Sequence, residues 1–121
     1  MQILKVMARS YVASTEMDAT ITFYEQLLRE KCETRFPIPP LGIEIAAIGA
    51  IHVVAGAEEK LAPFKQVQSA FFVDSVVEFK EELERLNADI LEQPQQGPFG
   101  MFMIAKHPDG MIVEYADMVT N

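Results

Sequence analysis

One cysteine in 121 residues, Cys32, excludes an internal disulfide, and it offers none of the Cys and His spacings that structural zinc requires. It reads as a small buried hydrophobe. Basic residues are also scarce: 10 Lys and Arg stand against 18 Asp and Glu, for a net charge of -8. That balance argues against nucleic acid, whose phosphates demand clustered Lys and Arg. It favours a cationic ligand and otherwise reports on solubility. No apolar run is long enough to span a bilayer, and the opening "MQILKVMARSYV" lacks the tripartite layout of a signal peptide, so the expectation is a cytoplasmic protein with no membrane partner. No Ser, Thr or Cys stands at a spacing from His52 or His107 that resembles a nucleophile signature. What remains is an ordinary globular composition, 50% hydrophobic and 23% charged, long enough for one domain with its own core.

Periodicity divides the chain twice in the same way. A strand-like segment from Ile3 to about Ser14 precedes "STEMDATITFYEQLLREK", where Ile21, Tyr24 and Leu28 follow helical spacing and Phe23 and Leu27 widen the stripe. Thr15 or Asp18 can cap the amides at its start. This predicts a helix from Asp18 to about Lys31. "CETRFPIPP" then gives a short strand and a turn, because adjacent prolines cannot serve mid-sheet. "LGIEIAAIG" and "AIHVVAGA" read as strands joined at Gly49. The polar stretch "AEEKLAPFK" reads as a linker. After it, "VQSAFFVD" is a strand and "SVVEFKEELERL" a helix from Ser75 to about Asn87. Ser75 and Glu78 form a capping box, Val76, Phe79, Leu83 and Leu86 the apolar stripe, and Glu81 with Arg85 an exposed pair. "ADILEQP", "GPFGMFMIAKH" and "GMIVEYADM" complete three more strands. Two β-α-β-β-β copies at an offset of about 60 residues are too long a period for a solenoid and fit two paired modules.

Within "HPDGMIVEYAD", strand parity groups Ile112, Glu114 and Ala116 on one face and Val113, Tyr115 and Asp117 on the other. A carboxylate on an otherwise apolar face stands at a wet edge, is paired, or lines a cavity, since an unpaired buried one is costly. Aligning Gly49 with Gly110 sets Glu114 opposite Val53 and leaves His52 one position out of phase. His52 then turns to the other face unless a bulge resets it. His107, before the turn, reads as a surface residue.

The segments "STEMDATITFYEQLL", "FFVDSVVEFKEEL" and above all "GPFGMFMIAKHPDGMIVEYAD" resemble the vicinal oxygen chelate superfamily, which includes glyoxalase I, extradiol dioxygenases and bleomycin-resistance proteins. The resemblance covers nearly the whole chain. It implies an α+β fold of two βαβββ modules forming curled mixed sheets with a central cup and helices on the outside. Module one would span about 1–57, the linker about 58–66 and module two about 67–121. It also implies a homodimer and, in metal-binding relatives, a ligand at Glu114 with histidines on the first strands. Those first-strand positions fall near Arg9, with Ala8 the alternative, and on Gln68 here, and the fourth-strand position on Val53. Arg binds no metal and Gln is a weak neutral donor. A divalent metal would need His52 brought inward beside Gln68 and Glu114.

Without the metal the cup is a concave cavity with apolar walls and a few orienting polar groups. Its wall candidates are Tyr11, Phe71, Phe99, Phe102, Met101, Met103 and Ile112, but strand parity splits Met101 and Met103 from Phe102 and Ile104. One set faces the cup and the other packs under a helix. Arg9 and Glu114 are the charged candidates; by the family's layout Arg9 could pair with Glu114 and stand in for the metal's charge. Two functions follow. The favoured one is a metal-independent, resistance-type protein that sequesters a planar or cationic small molecule, with Arg9, Tyr11, Gln68, Phe99, Phe102 and Glu114 as ligand-binding candidates and no cofactor. The alternative is a metal-dependent lyase, isomerase or dioxygenase in which Glu114 is the catalytic candidate.

Overall fold

The computed structural model describes residues 1–117, so Met118, expected at the end of the last strand, lies outside the described residues. The chain is α+β and divides into two compact units, one from Met7 to Gln66 and the other formed by Met1–Val6 with the chain from Val67 onward. The boundary falls inside the first strand, β1 (Ile3–Val12). Among the described residues no helix is long and apolar enough to cross a membrane.

In the unit Met7–Gln66, a short 3-10 turn at Ser14–Glu16 leads from β1 into α1 (Met17–Leu28). Three strands follow: β2 (Thr34–Ile38), β3 (Ile43–Ile48) and β4 (Ile51–Gly56). β4 runs parallel to β1, while β3 is antiparallel to both β2 and β4. Helix α1 buries Met17 and Ile21 against Ala46, Ile48, Val53 and Ala55, with Tyr24 packed beside them. Phe23 and Leu27, expected to widen this stripe, are exposed, so the sheet receives a narrower edge of the helix than the pattern predicts. Neither Thr15 nor Asp18 caps α1. The 3-10 turn replaces the cap, and Asp18 instead pairs with Arg35 at 2.7 Å. Cys32 is half-buried with its Sγ 3.2 Å from the Thr34 carbonyl, and burial pushes its thiol pKa up.

The segment expected as a linker carries a helical turn, α2 (Glu58–Leu61), and Leu61 is only 3% exposed. Its polar residues Glu58, Glu59 and Lys60 face outward. The composition reflects that outer face and hides the inner one.

The second unit contains β5 (Ser69–Val73), α3 (Val76–Arg85), β6 (Asp89–Gln96), β7 (Met101–Lys106) and β8 (Ile112–Asp117). β8 lies between β5, parallel to it, and β7, antiparallel to it; β6 closes the other side of β7. Ser75 Oγ accepts from the Glu78 amide at 3.3 Å, one arm of the predicted capping box. Val76, Phe79 and Leu83 pack on Met103, Ala105, Val113 and Tyr115. Leu86, predicted as the fourth member of the stripe, is 51% exposed because the helix ends at Arg85. Arg85 pairs with Glu82 three residues back.

Candidate functional site

In each unit the helix covers one face of the sheet, and alternation along the strands assigns the polar candidates to the other face. Val53 and Ala55 pack under α1, so His52 and Val54 point away from it. Arg9 lies opposite His52, and Tyr11 opposite Val54, in the parallel pairing of β1 with β4. These four side chains therefore share the face away from α1.

This corrects the expected parity of His52. In the two parallel pairings, Ser10 lies opposite Val53 and Ser69 opposite Val113. Val53 thus corresponds to Val113, Val54 to Glu114 and His52 to Ile112. The glycines mislead because the turn before β4 has only Gly49 and Ala50, whereas His107 to Met111 separate β7 from β8. Loop length sets register, and one residue of slip reverses every face. No bulge is needed to bring His52 to the candidate face.

His52 is 7% exposed. Burial first, and the Arg9 guanidinium second, push its pKa down to about 3, so the imidazole is neutral at physiological pH. Arg9 Nη1 donates to the Tyr11 hydroxyl at 3.3 Å, with the guanidinium carbon 5.8 Å from the ring centroid. The Tyr11 hydroxyl in turn donates to the Phe64 carbonyl. Around this polar chain lies an apolar cluster of Ile43, Val54 and Leu61, joined by the Tyr11 ring, Ile38, Ile45 and Phe64.

In the other unit Phe71, Met101 and Met103 pack with the core under α3, so these wall candidates are structural. Their strand neighbours take the opposite face: Phe102 pairs with Ala116 and Ile104 with Glu114 across β7 and β8. Glu114 is half-buried there, with Ala70 on its other side. Gln68 is exposed; its backbone N–H donates to the Ile112 carbonyl at 2.9 Å and its side-chain Oε1 accepts from the Ile112 backbone N–H at 3.2 Å. It extends the β5–β8 ladder by one rung. Phe99 is 44% exposed in a loop closed by the Gly97 amide donating to the Gly100 carbonyl at 2.7 Å.

His107, expected at the surface, is half-buried with Nε2 2.7 Å from the Tyr115 hydroxyl and its ring edge-on to Phe71. Burial pushes Tyr115 up to about 12. The reason is the aromatic cluster below the turn, which His107 caps; a loop position alone gave no sign of it. Asp117 also went unrecognised: its two oxygens accept from the Val76 and Met101 amides, each at 2.9 Å. It joins the start of α3 to the start of β7. The only signal was its parity opposite to Glu114. Among the described residues, no three His, Cys, Asp or Glu side chains form a group that could hold a metal ion.

Solved structures share this architecture. An uncharacterized protein from Methanosarcina mazei is 40% identical, the match covering 100% of this chain and 97% of that one with a TM-score of 0.89. Methylmalonyl-CoA epimerase from Mycobacterium tuberculosis is 17% identical, covering 98% and 90% of the two chains, with a TM-score of 0.72. A variant of the Streptomyces coelicolor enzyme in complex with 2-nitronate-propionyl-CoA is 16% identical, covering 98% and 100%, with a TM-score of 0.62. No family model and no curated protein matches the chain. The fold is that of the vicinal oxygen chelate, or glyoxalase-like, class. The chain belongs to the same family as the Methanosarcina mazei protein. The epimerases, at their low identity, speak for the fold alone.

Proposed function

We propose that this is a metal-independent small-molecule binding protein whose anchor is Arg9, flanked by neutral His52 and Tyr11 on the sheet face away from α1. The pairing of Arg9 with His52 across β1 and β4 carries this reading. A metal would take the imidazole lone pair, yet burial, and after it the neighbouring guanidinium, already depress the histidine's affinity for a proton, and both oppose a second positive charge. The same pair suits an oxygen. Arg9 carries a planar set of N–H donors and neutral His52 carries one N–H, donor types from which a ligand carboxylate or amide carbonyl accepts. Ile43, Ile45 and Val54 supply the apolar surface that holds the body of such a ligand.

In the other unit Glu114, beside Ile104 on the face it shares with Ile112, offers a carboxylate in an apolar setting that suits a planar or cationic group. Glu114 and the Pro108-Asp109-Gly110 turn before it are what favour the second reading, a metal-dependent lyase, isomerase or dioxygenase. Elemental analysis of the purified protein, followed by thermal shifts with carboxylates, amides and organic cations in EDTA and in added zinc or manganese, separates the two. Stabilisation by carboxylates or amides in EDTA is the expected result. Stoichiometric metal, with ligand shifts seen only in its presence, selects the enzyme.

A further inference from the structure

The segment from Glu58 to Phe64 meets the Arg9–Tyr11 face with its own chemistry. Its Phe64 carbonyl accepts from the Tyr11 hydroxyl, and its Leu61 and Phe64 side chains pack on Ile43, Val54 and the Tyr11 ring. An oxygen acceptor joined to an apolar group is what a small acid would present there. The segment is held to the sheet by the Leu61 and Phe64 side chains and by the Tyr11 hydroxyl, not by a strand of its own. α2 is a single turn, no side chain caps it at Ala57, and Pro63 follows it closely. The amides of Leu61, Phe64 and Lys65 bond to the Ala57 and Leu61 carbonyls, within the segment or to the residue on either side of it. It can lift as one piece without breaking a strand ladder.

We infer that Glu58–Phe64 is a displaceable strap, and that the surface beneath it is a binding site for a small monocarboxylic acid with an apolar tail. When the strap lifts, the ligand carboxylate takes the Arg9 and Tyr11 donors that now serve Tyr11 and the Phe64 carbonyl. The tail replaces Leu61 and Phe64 against Ile43, Ile45 and Val54. The identity of the ligand rests on Arg9 as the anchor proposed above; the lifting of the strap does not, and is measured without ligand.

Val53 and Val54 are successive residues of one strand, 0% and 2% exposed, and face α1 and the strap respectively. With Cys32→Ser as background, the experiment compares thiol-reagent labelling of Val53→Cys with that of Val54→Cys. Local lifting labels the cysteine at 54 at least about tenfold faster, since sub-global opening costs less than unfolding. Tyr11→Phe, which removes the hydrogen bond to Phe64, speeds labelling at 54 by about fivefold and leaves 53 unchanged. Phenylacetate protects the cysteine at 54, phenylacetamide protects it less, and Arg9→Met abolishes the protection by phenylacetate. Equal rates at 53 and 54 mean that only global unfolding exposes the site, which overturns the strap. Fast labelling at 54 without protection by phenylacetate overturns the acid site, while the thermal shifts judge the Arg9 anchor independently. Should either cysteine variant fail to fold, amide exchange of the unmodified protein decides: faster exchange at Leu61 and Lys65 than in β3 and β4 supports the strap, and equal exchange overturns it.

Discussion

Acidification from about pH 8 to about pH 5 should cost the fold about 2 kcal/mol through His52 alone. The imidazole is held neutral in the folded state, with its pKa pushed from 6.5 to about 3 by burial and by Arg9. The unfolded chain therefore takes up the proton first. Stability contributed by the neutral histidine is complete above about pH 6.5 and is lost as the pH falls toward 3, reaching on the order of 5 kcal/mol at the acid limit. Between these limits the slope approaches about 1.4 kcal/mol per pH unit for one proton. Urea unfolding of the wild type and His52→Gln over this range isolates the effect, because every other ionisable group is common to both proteins and cancels in the difference. The expected difference curve is flat above about pH 7 and falls steadily below about pH 6. Parallel curves for the two proteins would show that His52 is not held neutral, and the electrostatic argument against a cation at this site would fail with it. Arg9→Met should leave the onset and the loss near pH 5 nearly unchanged, because the unfolded histidine sets them, and should make the total loss at the acid limit smaller, since it removes the second cause of the depressed pKa while leaving burial in place.

Three further outcomes follow from the geometry. Asp117→Ala should destabilise by about 2–4 kcal/mol in denaturant unfolding, because it strands the Val76 and Met101 amides together. Ser75→Ala should cost about 1 kcal/mol by the same assay, as loss of the α3 cap acceptor. Light scattering should give a homodimer mass at micromolar concentration, with exposed Ile3, Leu4 and Val6 of β1 as apolar surface for a second copy; a monomer would count against it.

The order of strands and helices was legible because each rests on local periodicity, and Val76, Phe79 and Leu83 fell where a period of 3.6 places them. The split of the seventh strand was legible for the same reason, since alternation alone separates Met103 from Phe102. What escaped depended on turns and on tertiary cover. His52 was assigned to the wrong face because two glycines that look equivalent sit at different places in turns of unequal length. Phe23 and Leu27 match helical spacing but lie beyond the part of α1 that the sheet covers. Leu61 and Phe64 were hidden in a polar stretch whose two inward side chains are too few to show a period. Tyr11, Arg9 and Glu114 stood out by residue type; the bond from Tyr11 to the Phe64 carbonyl spans 53 positions, and no local pattern reports it.

The claim that Arg9 anchors a ligand without a metal is tested most directly by calorimetric titration of phenylacetate in EDTA into the wild type and Arg9→Met. The account predicts binding to the wild type that added zinc does not strengthen, and a loss of at least about thirtyfold in Arg9→Met, as removal of a charge-assisted contact worth about 2 kcal/mol requires. Binding that appears only after a divalent metal is supplied, or equal affinity in the two proteins, would contradict it.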